Sequence, residues 1–266
     1  MELSYARRGS GEPLVLIHGI GHRWQAWEPV LDRLAEHHDV IAIDIPGFGK
    51  SAPLKLAPGQ RPMIGLMMER IAESFAGFEI ERPHVAGNSL GGALALEMAR
   101  SGLASSVTAF SPAGFWNTRW ETAWALGNLS ATRAAAFAPK PVLRYVADHG
   151  TARALAFGMI FGKPRRLDPT LALEDTIALR EGRSFRLVGR EAKNYRYTGE
   201  SDVPTTVAWG TKDRILLRRQ FARAKRVLPK ARFEDLPGCG HVPMNDDPDL
   251  VSRLILETTG AIPAQR

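Results

Sequence analysis

The chain has 266 residues, 44% hydrophobic, 24% charged and 8% aromatic; this is close to the globular average and excludes a long disordered or collagen-like chain. The 35 Lys and Arg against 28 Asp and Glu leave a formal charge of +7, which favours acidic partners through long-range steering but identifies none. A single cysteine, Cys239, excludes an intramolecular disulfide or a zinc site built from several cysteines and suits a reducing, cytoplasmic setting.

The first eight residues, Met-Glu-Leu-Ser-Tyr-Ala-Arg-Arg, place charge where a signal peptide needs its apolar stretch. No run reaches the ~18 apolar residues of a membrane span, so a soluble, untargeted protein is expected. Next comes Pro13 to His18, a compact apolar run that suits a strand buried on both faces. Val40 to Ile45, His84 to Asn88, Val107 to Phe110 and Pro204 to Trp209 repeat the pattern. Helical spacing occupies Trp27 to Glu36, Ile64 to Phe75, Gly91 to Arg100 and Arg218 to Leu228. Alternating strands and helices predict a mostly parallel central sheet flanked by helices.

The alternation stops at Ala113 and resumes near Tyr197. Trp, Ala, Leu and Phe recur there at helical spacing, so residues 113–197 are predicted to be a helical insertion into a core formed by 1–112 and 198–266. Trp116, Trp120 and Trp124 stand four apart, which predicts one shared helix face. They are candidate pocket residues, although ordinary packing explains them equally simply.

Gly87-Asn88-Ser89-Leu90-Gly91-Gly92 follows the strand-like Val85-Ala86 and precedes the helix-like Ala93 to Arg100. A nucleophile on a tight strand-to-helix turn needs small flanking residues, because the backbone there is strained and its neighbours come close. A serine also requires a base, and the base a third group that fixes its tautomer. Asp213 in Trp-Gly-Thr-Lys-Asp and His241 in Gly-Cys-Gly-His each lie just past a predicted strand, where parallel sheets place their ligands. Asp202 and Asp175 serve as controls for that assignment. The amides of Ile20 and Leu90 are the expected oxyanion hole, with His18 bracing the turn beside them.

These residues identify the chain as resembling the serine hydrolases of the α/β-hydrolase fold. Asp44-Ile45-Pro46-Gly47-Phe48-Gly49-Lys50-Ser51 is similar to that family's Asp-x-Pro-Gly-x-Gly-x-Ser loop, and His241-Val242-Pro243 with Asp246 and Pro248 to its His-x-Pro-x-x-Glu-x-Pro tail, with Asp in place of Glu. The insertion lies where the family carries its helical cap. The resemblance implies acyl transfer through Ser89, with no cofactor and no metal, on a small-molecule ester or lactone of small to medium, largely apolar character.

Two other readings compete. The Gly-Asn-Ser-x-Gly-Gly turn resembles that of carbon–carbon bond hydrolases acting on vinylogous diketones, but Val242 stands where that subfamily usually places Trp. A slow-turnover ligand receptor on the same fold is the second. Epoxide hydrolases and haloalkane dehalogenases need Asp in place of Ser89. A phosphate-binding loop is excluded by Asp44 five residues before Gly49, and a dinucleotide loop by Ala52 in the third glycine position. Arg218, Arg219, Arg223, Lys225, Arg226, Lys230 and Arg232 are expected to form a solvated basic helix face; no nucleic-acid motif accompanies them. Cys239 reads as a small turn residue.

Overall fold

The computed structural model describes residues 3–54, 63–200 and 202–264. Its seven-stranded sheet comprises β1 (Tyr5–Arg8), β2 (Pro13–Ile17), β3 (Asp39–Ile43), β4 (His84–Asn88), β5 (Ser106–Phe110), β6 (Thr205–Gly210) and β7 (Arg232–Leu236), in the order β1-β3-β2-β4-β5-β6-β7. All neighbours pair in parallel except β1, which runs antiparallel to β3. The continuous apolar runs are the central strands, with every residue of β4, β5 and β6 buried. Strand β1 lacks that signature because it is a half-exposed edge; Arg7 pairs with Asp39 at 2.6 Å.

Helices α1 (Glu28–Ala35), α2 (Met63–Phe78) and α3 (Leu90–Arg100) cross between the first strands. Helix α3 has no polar face: Leu90 to Ala99 are all buried. Among the described residues between β5 and β6 the regular elements are all helical, chiefly α4 (Arg119–Ala135), α5 (Lys140–Asp148), α6 (Gly150–Phe157), α7 (Pro169–Glu181) and α8 (Phe185–Ala192). Thr118 caps α4 by accepting from the Glu121 amide, and Asp168 caps α7 by accepting from Thr170 and Leu171, satisfying amides that lack an intrahelical partner. Helices α9 (Arg218–Val227), α10 (Pro243–Asp246) and α11 (Pro248–Thr259) complete the fold.

The helical segment leaves and returns at a common stem. The Tyr197 amide donates to the Gly114 carbonyl at 3.1 Å, and the Trp116 indole to the Tyr195 carbonyl at 2.9 Å. Here the expectation of a shared tryptophan face is corrected. Trp116 precedes α4 and is buried in the stem, while Trp120 and Trp124 stack on the outer side of α4 with ring centroids 5.5 Å apart. Helical spacing places residues on one face only when all of them lie in the helix, and Thr118 starts this one after Trp116.

The basic cluster is also more than a solvated face. Arg219 and Arg223 of α9 both pair with Glu121 of α4, whose side chain is only 2% exposed. Burial opposes the Glu121 charge, but the Arg223 hydrogen bond, the Asn117 amide and both guanidiniums outweigh it and hold the carboxyl below its usual range. Arg218 reaches Asp235, Lys230 reaches Asp202, and Arg232 reaches Glu234 and Glu257.

Close backbone approach decides two glycines. A methyl at Gly91 would fall on the Ile17 carbonyl of β2, and one at Gly87 on the Gly91 carbonyl; this is how the start of α3 touches the sheet. We expect Gly91→Ala to lower the unfolding free energy by the ~1–3 kcal/mol of an overpacked core, and the urea midpoint with it. Gly127→Ala, within α4 with open space around it, should raise the unfolding free energy by up to ~1 kcal/mol through helix propensity, and the midpoint with it. Equal midpoints for the two variants would contradict the close-approach account.

Candidate active site

The strand order reverses about β2, whose neighbours are β3 and β4, and open parallel sheets bind ligands at such a switch, beyond the carboxyl ends of their strands. Four loops meet there, following β2, β4, β6 and β7.

Ser89 lies in the turn between β4 and α3 with φ 57° and ψ −112°, a conformation that costs a non-glycine residue on the order of 1–3 kcal/mol. Three hydrogen bonds hold it. Its amide donates to the Phe110 carbonyl at 2.9 Å, and its carbonyl accepts from Ala93 and Ala113, both at 3.0 Å.

His241 follows β7 and is 3% exposed. Its Nδ1 lies 2.9 Å from Oδ2 of Asp213, while the other oxygen of that carboxylate accepts from the Ile215 and Leu216 amides at 2.9 Å each. Three donors thus fix the Asp213 carboxylate, and the carboxylate fixes the ring. Among the described residues neither Asp175 nor Asp202 bonds to His241: Asp175 pairs with Arg23 at 3.0 Å and Asp202 with Lys230 at 3.2 Å.

The His241 backbone is equally restrained. Its amide donates to the Ile160 carbonyl at 2.6 Å, and its carbonyl accepts from Nδ2 of Asn88 at 2.8 Å. Asn88 therefore ties the Ser89 turn directly to the His241 loop. Sequence reading took Asn88 only as a turn residue; its place immediately before Ser89 was the available signal. Asp246 accepts from Gly240, Gly162 and Lys163, each at 2.7 Å, so the acid in the tail motif joins the His241 loop to the helical segment.

The loop after β2 is held from β3. The Ile45 amide donates to Nε2 of His18 at 3.0 Å, leaving Nδ1 to carry the proton it shares with the Gly19 carbonyl at 2.7 Å. Burial lowers the His18 pKa to about 3, against the Gly19 contact that favours its charged form. Asp44 accepts from the Trp24 amide at 2.7 Å and the Lys50 amide at 2.8 Å, which accounts for the acid of the Asp-x-Pro-Gly loop. Among the described residues, the Ile20 and Leu90 amides donate to no protein acceptor. Leu90 opens α3, where an amide has no intrahelical partner.

Ser89 and His241 line one cavity of ≈ 370 Å³ together with Gly19, Ile20, His22 and Asn88. Its remaining wall is largely apolar, from Leu129, Leu143, Phe157, Phe161, Leu171 and Leu179 of the helical segment and Val242 beyond His241. Among the described residues no hydrogen bond joins the Ser89 hydroxyl to the His241 ring. Trp116, Trp120 and Trp124 do not line the cavity; their indoles serve the stem, solvent and the Arg214 carbonyl. Cys239 is fully buried, and burial pushes its thiol up to about 12, which removes it as a nucleophile.

The His18 geometry generates a prediction with a definite sign. Its folded pKa lies below the ~6.5 of an unfolded histidine, so the unfolded chain binds more protons and stability falls as pH drops from about 6.5 towards 3. Long-range proton–nitrogen NMR at about pH 5 should show His18 neutral with the proton on Nδ1. Its contribution to the stability loss should approach ~1.4 kcal/mol per pH unit and vanish in His18→Gln. An imidazolium signal at that pH would falsify the assignment.

The comparisons agree with this fold. The chain is 29% identical over 251 residues to the dihydrolipoyllysine-residue acetyltransferase component of the acetoin cleaving system of Cupriavidus necator; 91% of the chain is covered, and it spans 62% of that relative's length. It is 25% identical to Lipase 3 of a Moraxella species, covering 88% of this chain and 73% of the lipase. A meta-cleavage product hydrolase from Pseudomonas fluorescens shares the fold at 18% identity, with a TM-score of 0.73 over 97% of this chain and 94% of that one. The model of the alpha/beta hydrolase family matches residues 14–254, and the chain belongs to that family.

Proposed function

We propose that the protein hydrolyses carboxylic esters or lactones of small to medium size through an acyl-enzyme on Ser89. The observation that carries this reading is that Ser89, on its strained turn, and His241, oriented by Asp213, open onto one apolar cavity. Ser89 Oγ attacks the carbonyl carbon as His241 Nε2 takes its proton, and the Asp213 carboxylate holds the tautomer and stabilises the imidazolium. The unpaired Ile20 and Leu90 amides receive the oxyanion, where a preorganised donor is worth on the order of 3 kcal/mol. His241 then protonates the leaving alcohol, and a water deprotonated by His241 releases the acid. The contact between Ser89 and His241 closes when substrate fills the cavity, as such contacts commonly do.

In this reading the helices between β5 and β6 form a roof over the site. A volume of ≈ 370 Å³ beneath these helices suits a compact acyl group and disfavours long-chain triglycerides. The similarity to Lipase 3 supports ester chemistry. The fold shared with the meta-cleavage product hydrolase keeps a vinylogous diketone in the assay, and Val242 beside His241 argues against it.

A fluorophosphonate should label Ser89 alone and abolish hydrolysis of short aryl esters. Asp213→Asn should keep the fold and lower kcat by up to ~10⁴-fold through the wrong His241 tautomer, whereas Asp202→Asn, at an exposed ion pair, should stay near wild type. Intact-mass and steady-state assays decide both. Fast diketone cleavage with negligible ester turnover would replace the ester reading with carbon–carbon hydrolysis. Labelling of Ser89 without turnover of either substrate would favour a ligand receptor.

A further inference from the structure

One wall of the cavity departs from its apolar lining. His22, from the loop after β2, and Asp175, from α7, both line it, and neither belongs to the Ser89, Asp213 and His241 set. Asp175 is held by Arg23, whose Nε donates to Oδ1 at 3.0 Å while Nη2 is spent on Glu174 at 2.6 Å. Among the described residues, Oδ2 of Asp175 and both ring nitrogens of His22 make no hydrogen bond. Both residues are only partly buried, the Asp175 side chain 19% exposed, so solvent reaches them, and a ligand that displaces that solvent must replace its hydrogen bonds.

The chemistry of the pair restricts what fills it. A carboxylate on the ligand would meet the Asp175 charge. An ammonium would have to shed its hydration in a largely apolar cavity, with the Arg23 guanidinium bonded to the same carboxylate. A hydroxyl fits both partners, donating to the carboxylate and accepting from an imidazole N–H. Burial keeps His22 below the usual histidine range and so neutral, against the pull of Asp175 and with that of His241. A neutral imidazole has one donor and one acceptor, which matches a hydroxyl.

We propose that His22 and Asp175 form a hydroxyl-binding subsite, so that the preferred substrate is a hydroxylated acyl ester, or the lactone derived from it. This substrate class rests on the hydrolase reading above, but the subsite itself is a matter of binding and can be tested without turnover.

The test uses Ser89→Ala protein and calorimetric titration with methyl hexanoate and its positional hydroxyl isomers. At least one isomer should bind about tenfold more tightly than the parent, the gain typical of one hydrogen bond to a charged group. That preference should fall below about twofold when either His22→Phe or Asp175→Leu is added. If Asp175→Leu does not fold without its Arg23 partner, His22→Phe decides alone. The proposal is overturned if no isomer gains more than about twofold, or if the preference survives in either folded variant. In parallel, the wild type is assayed on the same esters: an intact binding preference with no hydrolysis sinks the hydrolase reading and leaves the subsite standing, and hydrolysis indifferent to hydroxylation does the reverse.

Discussion

The site depends on one steric fact, the direct contact between the first turn of α3 and the backbone of β2. Gly91 has no Cβ to strike the Ile17 carbonyl, and Gly87 none to strike Gly91. With the helix so close to the sheet, the chain must reverse within a single residue, and that residue, Ser89, takes φ 57°. The same closeness sets the electrostatics. Because α3 begins at Leu90, an amide without an intrahelical partner and the positive end of the helix dipole lie next to the serine hydroxyl. A looser turn would relieve the strain and also move the amide away from the hydroxyl.

The helical segment is mechanically part of this arrangement. Its stem closes on itself at Gly114 and Tyr197, its first helix is clamped by Glu121 to α9, and its middle, at Ile160 to Lys163, is bonded to the His241 loop. The Ile160 carbonyl accepts the His241 amide, so the histidine's position is set partly from within the segment. Residues 160–163 are therefore tied to the site itself, whereas α5 forms part of the cavity's outer wall: Val142 lines the cavity and is also 49% exposed.

Much of the core was legible because its signals are local and redundant. A strand buried on both faces is a short apolar run, and a strained turn needs small residues on both sides; β4, Ser89 and α3 met both conditions in consecutive positions. Asp213 and His241 were legible as loop residues beyond strand ends, and the structure puts their side chains 2.9 Å apart. What the sequence did not reveal is non-local. The Asn88 bond to His241 spans 153 positions and the Arg23 bond to Asp175 spans 152, and no periodicity encodes either. The tryptophan spacing misled for the same reason: the pattern was genuine, but the helix boundary that breaks it is set by the Thr118 cap and by the Trp116 contact with the stem. The basic helix, in turn, looked solvated because its partner Glu121 is about 100 residues away in sequence.

The ends of β4 and β5 concentrate local instability. Ser89 and Ser111 both have positive φ, and two of the buried polar atoms without partners, Asn88 Oδ1 and Ser111 Oγ, sit beside them. The carboxylates around the site are satisfied instead: Asp44 and Asp246 each collect two or three backbone amides, and Asp213 collects two amides and a ring. Strain and unpaired groups persist only where the surrounding structure over-determines them. Here the surroundings are the buried central strands and a helix buried from Leu90 to Ala99, close packing that leaves the backbone little room to relax. Strain at the turn and rigidity beneath it are therefore one arrangement. The sheet and α3 hold Ser89 in a conformation it would not adopt alone, and the loops around it supply the partners that a relaxed backbone could not align.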